Sequence, residues 1–221
     1  MAPLTRDTLS AVDQQLRLPA RLLTFQVLLS IATVLGLVVV YPSISLSPDR
    51  PWTEPIKRAQ EVAWITHHVL LLLAYGTGAV AILLLARLLL TTPARIAAWV
   101  ALIVQALCLL LWIVYMGVRM SLLNLSAPTI GELGVYQTSQ QFVPVLTVLG
   151  LIATLAISVA LWRAGLARRT GLVVAVLTAL LLPLVLFLPP FVFNLLWLPL
   201  GITLLRRRPS ERVIDGMPVL S

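Results

Sequence analysis

Long apolar runs alternate with short polar segments along most of the chain. Four of the runs contain no Asp, Glu, Lys or Arg; they are 22–41, 62–86, 96–118 and 142–162. An α-helix of about 20 apolar residues crosses a hydrocarbon core roughly 30 Å thick, and it satisfies its own backbone hydrogen bonds there. Each run is therefore predicted to be a membrane-spanning helix.

The last apolar region, 172–205, is too long for one span and slightly short for two. Pro189 and Pro190 divide it. A Pro-Pro step lacks two backbone donors, and it pushes the preceding residue, Leu188, out of the helical conformation. The sequence therefore predicts a tight hairpin between two shorter helices, which gives six spans. Five spans, with a single crossing in this region, is the alternative.

The distribution of basic residues favours six spans. With a cytoplasmic N-terminus, six spans put 12 of the 16 basic residues on the cytoplasmic side and four outside, whereas five spans divide them eight and eight. Basic residues collect on the cytoplasmic side of membrane proteins. The four that fall outside are Arg50, Lys57, Arg58 and Arg119. Both termini are therefore predicted to be cytoplasmic.

Composition agrees with a membrane protein, since 60% of the residues are hydrophobic and 11% are charged, against about 25% charged in soluble domains. We expect an all-α fold, a polytopic transmembrane bundle formed by residues 22–205. Residues 1–21 are expected to form a cytoplasmic segment, either an interfacial helix or a disordered arm, and residues 206–221 a basic cytoplasmic tail. The net charge of +8 would face anionic lipid headgroups. No nucleic-acid-binding motif accompanies it.

The two histidines, His67 and His68, lie within the second apolar run. Polar groups at membrane depth are candidates for function. Adjacent helical residues point about 100° apart, so the pair is poorly placed to ligate one ion together. A haem b held by a histidine and Met116 is one interpretation. Neutral histidines that bond to neighbouring helices or to headgroups are the other.

Other polar residues in or near the spans could line a path through the bundle. They are Gln105, Tyr115 and Asn194. Hydrogen bonds between helices explain the same residues without any ligand. Pro183 and Pro199 interrupt the last two predicted helices, either as simple kinks or as the broken helices of a transport site.

Motifs for catalysis are not evident. No predicted span contains a carboxylate, and the chain has no nucleotide-binding loop, no HExxH and no GxSxG. The single cysteine, Cys108, lies in an apolar run and is expected to be a packing residue. We therefore assign no catalytic residue and no metal site; the sequence favours a non-enzymatic protein and leaves an intramembrane enzyme open.

The C-terminal third resembles uncharacterised bacterial polytopic membrane proteins. The resemblance is carried by the stretch Ala160-Leu-Trp-Arg-Ala-Gly-Leu166, a following apolar helix, a Pro-containing hairpin and the closing Leu-Leu-Arg-Arg-Arg208. It covers about the last 70 residues and consists mostly of hydrophobic pattern. It implies a bacterial inner-membrane setting and brings no activity with it.

The leading expectation for function is a structural or accessory subunit of a membrane complex, or an interaction protein. Its partners would be the lipid bilayer and either other membrane proteins or further copies of the chain. A small-molecule transporter or channel is the first alternative, and a haem-binding redox subunit is the second. If the chain does not bind haem, we expect it to have no cofactor.

Overall fold

The computed structural model describes the backbone of residues 6–44, 54–122, 134–187 and 192–206. This part of the chain is helical and contains no strand. The helices, in chain order, are α1 (Arg6–Ile44), α2 (Glu54–Leu89), α3 (Arg95–Ser121), α4 (Gly134–Arg163), α5 (Arg168–Leu181) and α6 (Val192–Arg206). A 3₁₀ segment, Leu182–Phe187, continues α5.

Among the described residues, five helices are long and apolar enough to cross a membrane, and α6 is a shorter apolar helix. The prediction of an all-helical bundle of apolar helices is therefore confirmed, in agreement with a multi-pass membrane protein. The last apolar region is divided, as expected, into α5 with its 3₁₀ extension and α6. Pro189 and Pro190 lie outside the described residues.

Several helices extend beyond the apolar runs that predicted them. Arg119, which follows the third apolar run, belongs to α3, and the polar cluster 137–141, which precedes the fourth run, belongs to α4. Similarly, α1 begins at Arg6 and continues without a break through the segment that we treated as separate from the first span. Hydropathy locates the part of a helix that suits lipid, whereas the helix itself can continue into polar sequence.

Each helix packs against the next one in sequence, and α6 returns to pack against α1. Contacts of α2 with α4, and of α4 with α6, cross the middle of this ring. The α1–α6 pair is antiparallel: Asn194 bonds to Ser30, whereas Gly201, about two helical turns further along α6, lies against Ala20, which precedes Ser30 on α1. The ends Arg6 and Arg206 therefore lie at the same end of the bundle.

Large apolar side chains cover the outward faces of α3 and α5. Those exposed include Ile103, Leu110 and Ile113 on α3, and Val173, Val176 and Leu180 on α5. Soluble monomers rarely expose contiguous apolar faces of this size. The faces suit contact with lipid or with another membrane protein.

Candidate functional site

A buried guanidinium group lies between α2 and α3. Arg119 is only 9% exposed, and its guanidinium carbon lies 4.7 Å from the Trp64 ring centre and 5.8 Å from that of Tyr115. Its Nε donates a hydrogen bond to Nε2 of His68 at 3.3 Å. Cation–π contacts and this hydrogen bond together hold the charge among side chains rather than in solvent.

The hydrogen bonds of His68 define its protonation. Nδ1 lies 2.8 Å from the backbone carbonyl oxygen of Trp64, which can only accept, so Nδ1 carries the proton. Nε2 then accepts from Arg119, and His68 is the neutral tautomer. Its ring also stacks on Trp64 with centroids 4.4 Å apart. The side chain acts as a link between α2 and α3.

Nε2 of His68, the ring nitrogen that would ligate a haem iron, here accepts the hydrogen bond from Arg119, whereas a bond from Nδ1 to a backbone carbonyl is one that ligating histidines also make. His67 is half-buried, and its ring meets the edge of His68 at 5.2 Å between centroids. Met116 is buried on α3. A haem held by a histidine and Met116 stays a prediction.

Aromatic and polar side chains continue from Arg119 along the α2–α3 interface. Trp112 lies between Tyr115 and Tyr75, with centroid distances of 5.4 and 4.6 Å. Gln105 donates from Nε2 to the hydroxyl oxygen of Tyr75 at 3.3 Å, and the same hydroxyl contacts the Cys108 thiol. Gln105 and Tyr115 therefore belong to a packed helix interface.

A second polar cluster joins α1 to α6. Gln26 donates from Nε2 to the Ser30 hydroxyl oxygen at 2.9 Å, and Asn194 donates from Nδ2 to the same oxygen at 3.3 Å. All three residues are buried. The amide oxygens Oε1 of Gln26 and Oδ1 of Asn194 have no hydrogen-bond partner among the residues that the structure describes.

Trp197 fills the place where four helices meet. It is 0% exposed and donates from Nε1 on α6 to the Thr154 hydroxyl on α4 at 2.8 Å. A Cβ atom at Gly78 of α2 would overlap the indole ring and would lie 2.9 Å from Cγ of Gln26 on α1. Because Gly78 has no side chain, α2 can approach the indole closely.

The three residues predicted to line a polar path do not meet at one place. Gln105 and Tyr115 contact side chains of the α2–α3 interface, while Asn194 contacts α1. Three residues central to these clusters were not predicted from the sequence: Arg119, Gln26 and Trp197. The spacing of Gln26 and Ser30, four residues apart in an apolar run, was the signal available for the second cluster.

Among the described residues, no group of three or more His, Cys, Asp or Glu side chains is placed to hold a metal ion. No family model matches this chain, and comparison with curated proteins and with solved structures gives no match either. The proposal for function therefore rests on the geometry of the chain itself.

Proposed function

We propose that the chain crosses the bacterial inner membrane six times, with both termini in the cytoplasm. The antiparallel α1–α6 pair supports an even number of crossings. So does the basic-residue count, which favours a cytoplasmic tail. The 15 residues of α6 extend about 22 Å, shorter than a roughly 30 Å core. Local thinning of the bilayer and extension of Arg206 to the interface accommodate the difference.

Within that topology, the chain is a non-enzymatic structural or accessory subunit of a membrane complex. The observation that carries this proposal is the filled centre of the bundle. The indole of Trp197 occupies the meeting point of α1, α2, α4 and α6, and it is fixed by the Thr154 hydroxyl. A transport path at this point would require the indole to leave.

The use of polar side chains supports the same function. Arg119, His68 and Gln105 bond across α2 and α3, and Ser30 bonds across α1 and α6. Side chains that link helices in this way hold the bundle together. They are not arranged as a continuous polar lining.

The apolar faces of α3 and α5 are the surfaces that a partner would cover. Leu110 is 59% exposed and Leu180 is 64% exposed, although both belong to helices whose opposite sides are packed in the bundle. A second membrane protein, or another copy of this chain, could pack on either face. Helix packing in lipid needs apolar surface that fits closely and does not need charged groups.

Photocrosslinking in native membranes tests this proposal. A photoreactive amino acid is placed at Leu110 and, separately, at Leu180, with buried Ala101 of α3 as the matched control. We expect a discrete protein adduct from at least one exposed position and no intermolecular adduct from Ala101. Adducts with lipid alone from both faces would contradict an accessory-subunit function.

Reconstitution into liposomes provides a second test. The proposal predicts that the purified chain carries no saturable solute or ion flux above that of empty liposomes. Flux that depends on the wild-type chain, and that changes in Trp197→Ala, would instead assign transport to this bundle.

A further inference from the structure

The cluster between α1 and α6 contains two buried amide groups that share one hydroxyl. Gln26 is 0% exposed and Asn194 is 6% exposed. Both amide nitrogens contact the Ser30 oxygen, at 2.9 and 3.3 Å, and within the described part of the chain neither amide oxygen has a hydrogen-bond partner. Buried polar atoms without partners are uncommon in folded proteins. Two at one place indicate a ligand that the protein side chains do not provide.

The mismatch does not depend on how the amides are assigned. Rotating either amide by 180° exchanges its oxygen with its nitrogen. In either orientation, one polar atom of each amide contacts the Ser30 oxygen, and the other polar atom has no partner among the described residues. The ligand must therefore be small and able both to donate and to accept hydrogen bonds.

The Ser30 hydroxyl supplies the remaining hydrogen bond. When its oxygen accepts from both amides, its proton is available to donate. Thr33 on the same helix donates to the Leu29 carbonyl, whereas the Ser30 hydroxyl makes its contacts with the two amide groups and not with the described backbone of α1. A buried water usually makes about three hydrogen bonds. One water can accept the Ser30 proton and donate to the two amide oxygens.

We propose that Gln26, Ser30 and Asn194 bind one structural water molecule between α1 and α6. The water completes the polar contact that ties the last helix to the first. A metal cation suits the cluster less well, because the amide N–H groups directed at Ser30 would repel it. In addition, the described side chains of α1 and α6 include no carboxylate to balance its charge.

Infrared difference spectroscopy of the purified chain, exchanged from H₂¹⁶O into H₂¹⁸O, tests the proposal. A structural water gives a narrow O–H stretching band that shifts with the isotope. We expect this band in the wild type and its loss in the triple variant Gln26→Leu, Ser30→Ala, Asn194→Leu. Thr33→Val is the matched control, because Thr33 bonds to its own helix, and the band should persist there.

If the triple variant does not fold, Ser30→Ala alone serves, since the water would lose one partner and its band should move to a higher frequency. A wild-type spectrum without an isotope-sensitive band would overturn the proposal, as would a band that the triple variant retains. A thermal unfolding midpoint that rises with Na⁺ or K⁺ but not with choline would show a cation site instead.

Discussion

Gly78 lies where α2 comes closest to the indole of Trp197, and a Cβ atom there would overlap the ring. We predict that Gly78→Ala lowers the free energy of unfolding by about 1–3 kcal/mol, because overpacking forces either the indole or α2 to move. Thermal unfolding of the purified protein in mild detergent measures the effect.

Gly76, two residues away on the same helix, provides the control. A Cβ atom there would meet nothing within 4 Å, so Gly76→Ala should leave stability unchanged or raise it slightly, since Ala favours the helix. Equal destabilisation by the two substitutions would show that the contact with Trp197 is not the cause of the loss at Gly78.

Arg119 gives a second prediction for a single residue. Arg119→Lys keeps the charge but removes the Nε donor to His68 and the planar group over Trp64. We expect a loss of about 1–2 kcal/mol in unfolding free energy, in the range of a charged hydrogen bond. Arg95→Lys, at the exposed other end of α3, should have almost no effect. Similar losses in both variants would argue against a specific role for the guanidinium.

These contacts could be anticipated only in part from the sequence. The pattern identified His68 as an unusual polar residue, but its partner Arg119 is 51 positions away. By hydropathy, an arginine at the end of an apolar run is placed outside the membrane span, in contact with water. Its position against Trp64 depends on how two helices pack, and that information is absent from either helix alone.

The turn between α4 and α5 carries a prediction at the scale of elements. Gly165 has φ of 69°, and the Leu166 N–H bonds back to the Leu161 carbonyl at 3.0 Å. This is a Schellman ending, which places a left-handed residue after the helix. Gly165→Ala should cost about 1–2 kcal/mol of stability, and Gly165→Asn less, because Asn tolerates that conformation better. Thermal unfolding distinguishes them; equal values would exclude backbone strain as the cause.

The helices themselves were largely predictable, because long apolar segments have few alternatives in a membrane. The last apolar region contains two separate elements, α5 with its 3₁₀ extension and α6, while Pro189 and Pro190, where the sequence predicts the division, lie outside the described residues. Helix ends were less predictable. Residues 137–141 are polar and yet helical, since a helix that has already formed extends through residues of moderate propensity. The apolar pattern alone does not show how far a helix continues into polar sequence.

At the scale of the whole molecule, each helix packs against the next one in sequence, and the contact of α6 with α1 closes the bundle into a ring. The sequence predicted the number of apolar segments but not this closure, which depends on small residues. Gly201 lets α6 approach the Ala20 carbonyl, and Gly171 lets α5 approach the Ser158 carbonyl on α4. Small residues are frequent in membrane helices, so their partners are recognised only once the helices are placed.

The antiparallel return of α6 leads to a prediction about topology. The variants Ser121→Cys at the end of α3, Thr91→Cys in the α2–α3 turn and Arg206→Cys at the end of α6 each place one added cysteine at an exposed position, whereas native Cys108 is buried. In intact cells whose outer membrane has been permeabilised, an impermeant maleimide should label Ser121→Cys alone. Thr91→Cys and Arg206→Cys should react only after the inner membrane is opened, because both would lie on the cytoplasmic side. Labelling of Arg206→Cys together with Ser121→Cys would place the tail outside and reduce the spans to five. In that case α6 could not cross the bilayer beside α1, and the basic tail would oppose the usual charge asymmetry.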